Sequence, residues 1–160
     1  MSTPDDDLST LISAAAASAS DEAQDSQPTT STHRCDVLLV DDTSASRELL
    51  ASILRNFAGR LVMREARNGA EALRLWNDLN PRITLLDIDM PGEDGLAVLQ
   101  EMRNQRADTF VAMISGSSSM DNVKRAMALG ASGFVIKPYK PQRILDLLQK
   151  YSEQAGHTFL

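Results

Sequence analysis

From position 37 onward the chain alternates between short, unbroken apolar runs and longer stretches in which apolar residues recur every three or four positions. Unbroken runs of this length read as strands buried on both faces. The wider spacing reads as helices with one inward stripe. Val37-Leu38-Leu39-Val40 is the first run. Leu49, Leu50, Ile53, Leu54 and Phe57 then mark a helix that Ser44 caps and Gly59 ends. Residues 61–66 make a second strand. Asn68-Gly69 turns into a helix with Ala72, Leu73, Leu75, Trp76 and Leu79 inward, closed by Pro81. Residues 83–86 give a third buried strand, stopped by Asp87 and then by Pro91-Gly92. Leu96, Val98, Leu99 and Met102 mark a third helix, and residues 110–114 a fourth strand. Val123, Met127 and Leu129 mark a helix ended by Gly130. Residues 134–136 form a short fifth strand, and Ile144, Leu145, Leu147, Leu148 and Tyr151 a last helix that starts near Pro141.

Five strands alternating with five helices call for an α/β fold: a parallel sheet, covered on both faces and joined by right-handed crossovers. In such a sheet the functional cleft lies at the carboxyl ends of the strands, where strand order reverses.

Residues 1–34 break the pattern. They are rich in Ser, Thr, Ala, Asp and Gln and lack aromatic residues, so they bury too little apolar surface to offset their ordering entropy. The expected organisation is a disordered, acidic N-terminal tail over 1–34, one domain over 35–155 and a short C-terminal tail over 156–160. Charge follows this division. The chain carries −6 overall, of which the six carboxylates and single Arg of residues 1–34 supply −5. A nearly neutral domain argues against direct nucleic-acid binding through a basic face. The single cysteine, Cys35, has no internal disulfide partner and reads as a small apolar residue in a reducing compartment. Asp5–Asp7 stand where a signal peptide would carry positive charge, and no apolar run is long enough to span a membrane. A cytoplasmic location follows as an expectation.

The residues that interrupt the apolar runs carry the chemistry. Asp41 and Asp42 end the first strand, Asp87 the third, while Ser115 and Lys137 follow the fourth and fifth. A parallel sheet gathers all of them at one edge. Carboxylates crowded there repel one another, and a hard cation such as Mg²⁺ with oxygen ligands relieves the repulsion. A metal beside Asp87, with an ammonium and a hydroxyl close by, suits phosphoryl transfer to a carboxylate. Taken singly, Asp42 is also a carboxylate favoured at a helix start, Lys137 a solvated loop lysine and Ser115-Gly116 a turn. Trp76 and the methionines read as packing, and His33 and His157 as solvated residues near the termini.

Val-Leu-Leu-Val-Asp41-Asp42, Leu-Leu-Asp87-Ile-Asp-Met90-Pro91-Gly92-Glu-Asp94-Gly95, Met-Ile-Ser115-Gly116 and Gly-Phe134-Val-Ile-Lys137-Pro138 occur in this order. Together they resemble the response-regulator receiver domain over the whole of 35–155. The resemblance implies a flavodoxin-like, doubly wound sheet of order 2-1-3-4-5. It implies that Asp87 is the phosphoacceptor, and that Asp42, Asp87 and the backbone carbonyl of Asp89 ligate Mg²⁺ while Asp41 acts through metal-bound water. It further implies that Lys137 pairs with the phosphoryl oxygens, that Ser115 moves toward them, and that Phe134 changes rotamer in response. The implied partners are a histidine kinase or histidine phosphotransfer protein upstream and a docked target protein downstream. The implied signalling face is the fourth helix, fifth strand and fifth helix. Ser115 stands where Thr is more frequent, Phe134 where Tyr is often found, and Asp89 where Asn or another residue is usual.

Two other readings compete. Asp87-Ile-Asp89 also matches the D-x-D motif of haloacid-dehalogenase-type phosphatases, but that motif opens its domain, whereas here Asp41-Asp42 precedes it. A receiver-like module that binds partners without phosphorylation is the other, and retention of every acidic-site residue speaks against it. About ten residues follow the last helix, so the expected output is docking, as effector or as relay, and not turnover of a substrate.

Overall fold

The computed structural model describes residues 32–117 and 119–159. Most of the expected N-terminal tail lies outside the described residues. A compact unit begins at Arg34, whose backbone N–H donates to the carbonyl of Leu79.

Five strands form one sheet: β1 (Val37–Val40), β2 (Met63–Ala66), β3 (Ile83–Asp87), β4 (Val111–Ser115) and β5 (Gly133–Ile136). Their order is β2-β1-β3-β4-β5 and every pairing is parallel. This is the expected flavodoxin-like order. Five helices connect and cover them: α1 (Ser44–Phe57), α2 (Gly69–Leu79), α3 (Gly95–Gln105), α4 (Met120–Ala128) and α5 (Pro141–Ala155). Successive side chains of a strand point to opposite faces, so β1 divides its apolar run between two cores. Val37 and Leu39 join α1 and α5 residues such as Leu50, Leu54, Ile144 and Leu148 on one face. Leu38 and Val40 join Ala72, Trp76, Leu99 and Met102 on the other. An unbroken apolar strand is what such two-sided burial requires.

Trp76 is fully buried, as packing requires. Its indole N–H donates to Thr109 Oγ1 at 3.2 Å and the Arg106 guanidinium lies 3.8 Å from its ring centroid. Leu49 and Phe57 are exposed although they share the helical spacing of Leu50 and Leu54. The face of α1 that meets the sheet is narrower than its apolar stripe. The N-cap of α1 is Thr43, not Ser44, and no side chain of its own caps the helix. Instead Asp41 Oδ1 accepts the Thr43 N–H at 2.9 Å.

Pro91-Gly92 turns as expected, with Gly92 at a φ of 73° that favours glycine. It closes a two-residue antiparallel ribbon, Asp89–Met90 against Glu93–Asp94, that the apolar pattern did not indicate. Asp94 then caps α3 by accepting the Leu96 N–H at 2.9 Å. At the other end Gly156, at φ 69°, turns the chain back over α5. His157 and Phe159 pack there around Tyr151, with ring centroids 4.9 Å apart. The expectation of a solvated His157 is therefore corrected: Phe159 gains apolar contact with the core and carries His157 with it. His33 is half-buried as well.

Candidate functional site

The parallel register brings the strand ends level. Val40 pairs with Leu86, Asp87 with Ile114, and Ser115 with Ile136. The residues that follow, Asp41-Asp42 after β1 and Lys137 after β5, therefore converge on Asp87 at the carboxyl edge. Carboxylate oxygens of Asp41, Asp42 and Asp87 all lie within 4.8 Å of one another. Asp41 and Asp87 are buried, with 2% and 3% of their surface exposed, whereas Asp42 is open to solvent.

Each group is held by its own contacts. Lys137 Nζ donates to Asp41 Oδ2 at 3.0 Å and lies 3.8 Å from Asp87 Oδ2. Asp87 Oδ1 accepts the backbone N–H of Asp89 at 3.1 Å. Ser115 is fully buried, and its hydroxyl donates to Asp89 Oδ2 at 2.9 Å. The Gly116 N–H donates to that same oxygen at 3.2 Å. Asp89 thus grips the end of β4 from the loop after β3. Phe134 is half-buried against the core of α2, α3 and α4.

Burial pushes the Asp87 carboxyl up from its ordinary range. The Asp89 N–H draws it back, Asp41 raises it again, Lys137 lowers it and the Asp89 charge adds a last upward push. Tyr139 is pushed up to about 12, by burial first and by the Asp41 charge second. One ammonium does not neutralise four neighbouring carboxylates. Three hard oxygen donors with surplus negative charge at the mouth of a buried edge fit a small divalent cation with oxygen ligands, as Mg²⁺ is.

The family model for the response regulator receiver domain matches residues 37–149 of this chain. The chain belongs to the response-regulator receiver family.

Relatives of known identity agree. The receiver domain is 33% identical over 117 residues to the chemotaxis protein CheY of Thermotoga maritima, covering 73% of this chain and 97% of that one. It is 30% identical over 117 residues to the probable C4-dicarboxylate response regulator DctR of Bacillus subtilis, where it spans about half (52%) of the relative's length. Among solved structures, the receiver domain of NtrX from Brucella abortus superposes with a TM-score of 0.69 at 35% identity, covering 75% of this chain and all of that one. The chain is thus a response regulator receiver domain of two-component systems, and none of these relatives supports the dehalogenase-type alternative.

The structure brings together Asp41, Asp42, Asp87 and Lys137, and it reaches Ser115 through Asp89. The apolar pattern had no means of finding Arg47. It sits on α1 with 8% of its surface exposed and donates from Nη1 to the Asp41 carbonyl at 2.7 Å. Its only trace in the sequence is a cation five residues beyond the Asp41-Asp42 pair, within an otherwise ordinary amphipathic helix.

Proposed function

We propose that this receiver domain accepts a phosphoryl group on Asp87 from a histidine kinase or histidine phosphotransfer protein and signals by docking. The observation that carries the reading is a buried carboxylate with Lys137, Asp41 and Asp42 converging on it. In the step itself an Asp87 oxygen attacks phosphorus. The bond from phosphorus to the donor nitrogen or oxygen breaks, and its electron pair leaves with the donor. Lys137 faces the oxygens on which negative charge collects. Asp42, Asp87 and the Asp89 carbonyl would hold Mg²⁺, with Asp41 acting through water. The ion offsets charge on the transferring group when bound.

Output follows from the connection of Ser115 to β5. The Lys137 N–H donates to the Ser115 carbonyl at 2.8 Å, and Ser115 pairs with Ile136. A Ser115 drawn toward a phosphoryl group pulls directly on β5, and Phe134 on the same strand responds by changing rotamer. Met120 and Met127 on α4 and Ile136 on β5 are exposed apolar residues on the face that would dock a target protein. No helix among the described residues is long and apolar enough to cross a membrane.

The test is a small phosphodonor such as acetyl phosphate with Mg²⁺. Acceptance of a single phosphoryl group is expected. Sustained hydrolysis of a chromogenic phosphate ester would favour the phosphatase reading instead.

Two predictions arise from the site. Asp41 already binds Lys137 and the Thr43 N–H, whereas Asp42 is exposed. Asp41→Ala is expected to weaken Mg²⁺ binding by about tenfold, as loss of an orienting partner does, and Asp42→Ala by more. A titration in which both variants match wild type would refute the site. Asp89→Asn removes a negative charge near Asp87 and weakens the grip on the Ser115 hydroxyl. An exposed charge contributes up to about 1 kcal/mol, so labelling by acetyl phosphate should be about two- to fivefold faster. Slower labelling would show that the Asp89 carboxylate assists the chemistry.

A further inference from the structure

Arg47 is the one buried cation among the described residues, in a set of buried polar side chains otherwise made of Asp41, Asp87, Ser115 and Thr84. A guanidinium is costly to bury without partners of good geometry. Arg47 has two. Nε donates to Glu65 Oε1 on β2 at 2.7 Å, and Nη1 donates to the Asp41 carbonyl at 2.7 Å. That carbonyl belongs to the peptide unit joining Asp41 to Asp42. A peptide unit is planar, so holding its oxygen also holds the N and Cα of the next residue. The other ties of this loop act on its flanks, Lys137 on the Asp41 carboxylate and the Thr43 N–H on the far side of Asp42. The Asp41 N–H donates to the Ala66 carbonyl, the Asp41 carboxylate accepts from Thr43, and the Arg47 N–H meets the Thr43 carbonyl. Asp42 itself is exposed, and its backbone aims it.

We infer that Arg47 is a positioning residue for the metal site: by locking the Asp41–Asp42 peptide against Glu65 it aims the Asp42 carboxylate at Asp87. This rests on the phosphoacceptor reading given above. A purely structural Arg47 would tie α1 to β2 and affect stability alone. A positioning Arg47 affects the loop and its affinity for the ion.

Two variants separate these roles. Arg47→Met keeps much of the apolar stem and removes both donors. Arg47→Lys keeps the charge but cannot span both acceptors with a planar fork. Mg²⁺ affinity is measured by calorimetry on the full chain, and amide hydrogen exchange at Asp42 and Thr43 is measured without metal. A hydrogen bond from a charged donor is worth enough that Arg47→Met should raise the Mg²⁺ dissociation constant about tenfold or more. Arg47→Lys should fall between it and wild type. Both variants should exchange faster at Asp42 and Thr43, and excess Mg²⁺ should restore acetyl phosphate labelling. If Arg47→Met does not fold, Arg47→Lys carries the test alone. Variants that bind Mg²⁺ within about twofold of wild type, with unchanged exchange at Asp42 and Thr43, would overturn the inference. A wild type that binds no Mg²⁺ would instead overturn the reading of the metal site, and the exchange rates would then decide on Arg47 by themselves.

Discussion

Replacing Asp87 with Asn is expected to reduce phosphoryl labelling to background and, in the same protein, to raise the melting temperature of the metal-free form at neutral pH. The first effect follows because an amide is not a comparable nucleophile. The second follows from the environment of the carboxylate. Asp87 is 3% exposed, and burial raises its pKa above the ordinary value. Below its unfolded-state pKa the carboxyl is neutral in both states. As pH rises through the folded-state value the native protein must ionise a buried group, and the stability that the neutral form confers is lost. At neutral pH the wild type therefore carries the cost of a desolvated charge beside Asp41. Asn does not, and its carbonyl can still accept the Asp89 N–H. The gain in melting temperature should be several degrees at neutral pH and should shrink toward zero as pH falls through that window. Added Mg²⁺ should stabilise the wild type much more than Asp87→Asn. Calorimetric scans across acidic to neutral pH check this, and an Asn variant less stable than wild type throughout would contradict it.

Gly95→Ala is expected to cost more stability than any surface substitution and to slow labelling as well. Gly95 opens α3, and its N–H donates to the Ile88 carbonyl at 3.1 Å. A Cβ built there would overlap the Asp87 carbonyl oxygen and stand 2.8 Å from Ile88 Cα. Both neighbours are backbone, so neither can swing aside. Either α3 moves off the sheet or the chain at Asp87 moves with its carboxylate. Overpacking of this kind costs about 3 kcal/mol. For a domain of this size that corresponds to roughly 10 °C in melting temperature. Gly59→Ala is the control, since its added Cβ would meet nothing nearer than the Arg55 carbonyl oxygen at 4.0 Å. Thermal melts of the two variants check the difference. Equal melting temperatures would show that the loop after β3 yields more easily than its packing indicates.

The features legible from sequence and those that were not differ in range. β1, β3 and β4 are buried on both faces, so burial itself writes a nearly continuous apolar run, with Thr84 of β3 its one polar interruption before the strand ends. The polar residues that stop those runs then locate the site, because parallel strands share an edge. β2 was harder: Arg64 and Glu65 face solvent on an edge strand, and the structure starts it at Met63. Contacts between residues far apart in sequence left no pattern to read. The Ser115 hydroxyl meets Asp89 only because β3 and β4 are neighbours. Arg47 looks like a surface cation until Glu65 on β2 closes over it. Leu49 and Phe57 fit a helical stripe, yet both lie outside the face of α1 that packs into the core.

Where the phosphoryl group lands decides whether Asp87 is the phosphoacceptor. The full chain, treated with acetyl phosphate and Mg²⁺, would be weighed intact and then mapped by peptide mass spectrometry. One phosphoryl group per chain is expected, on the peptide that contains Asp87, and none when a chelator removes the metal. A label on any other residue, or an unlabelled chain that nonetheless binds Mg²⁺, would contradict that assignment.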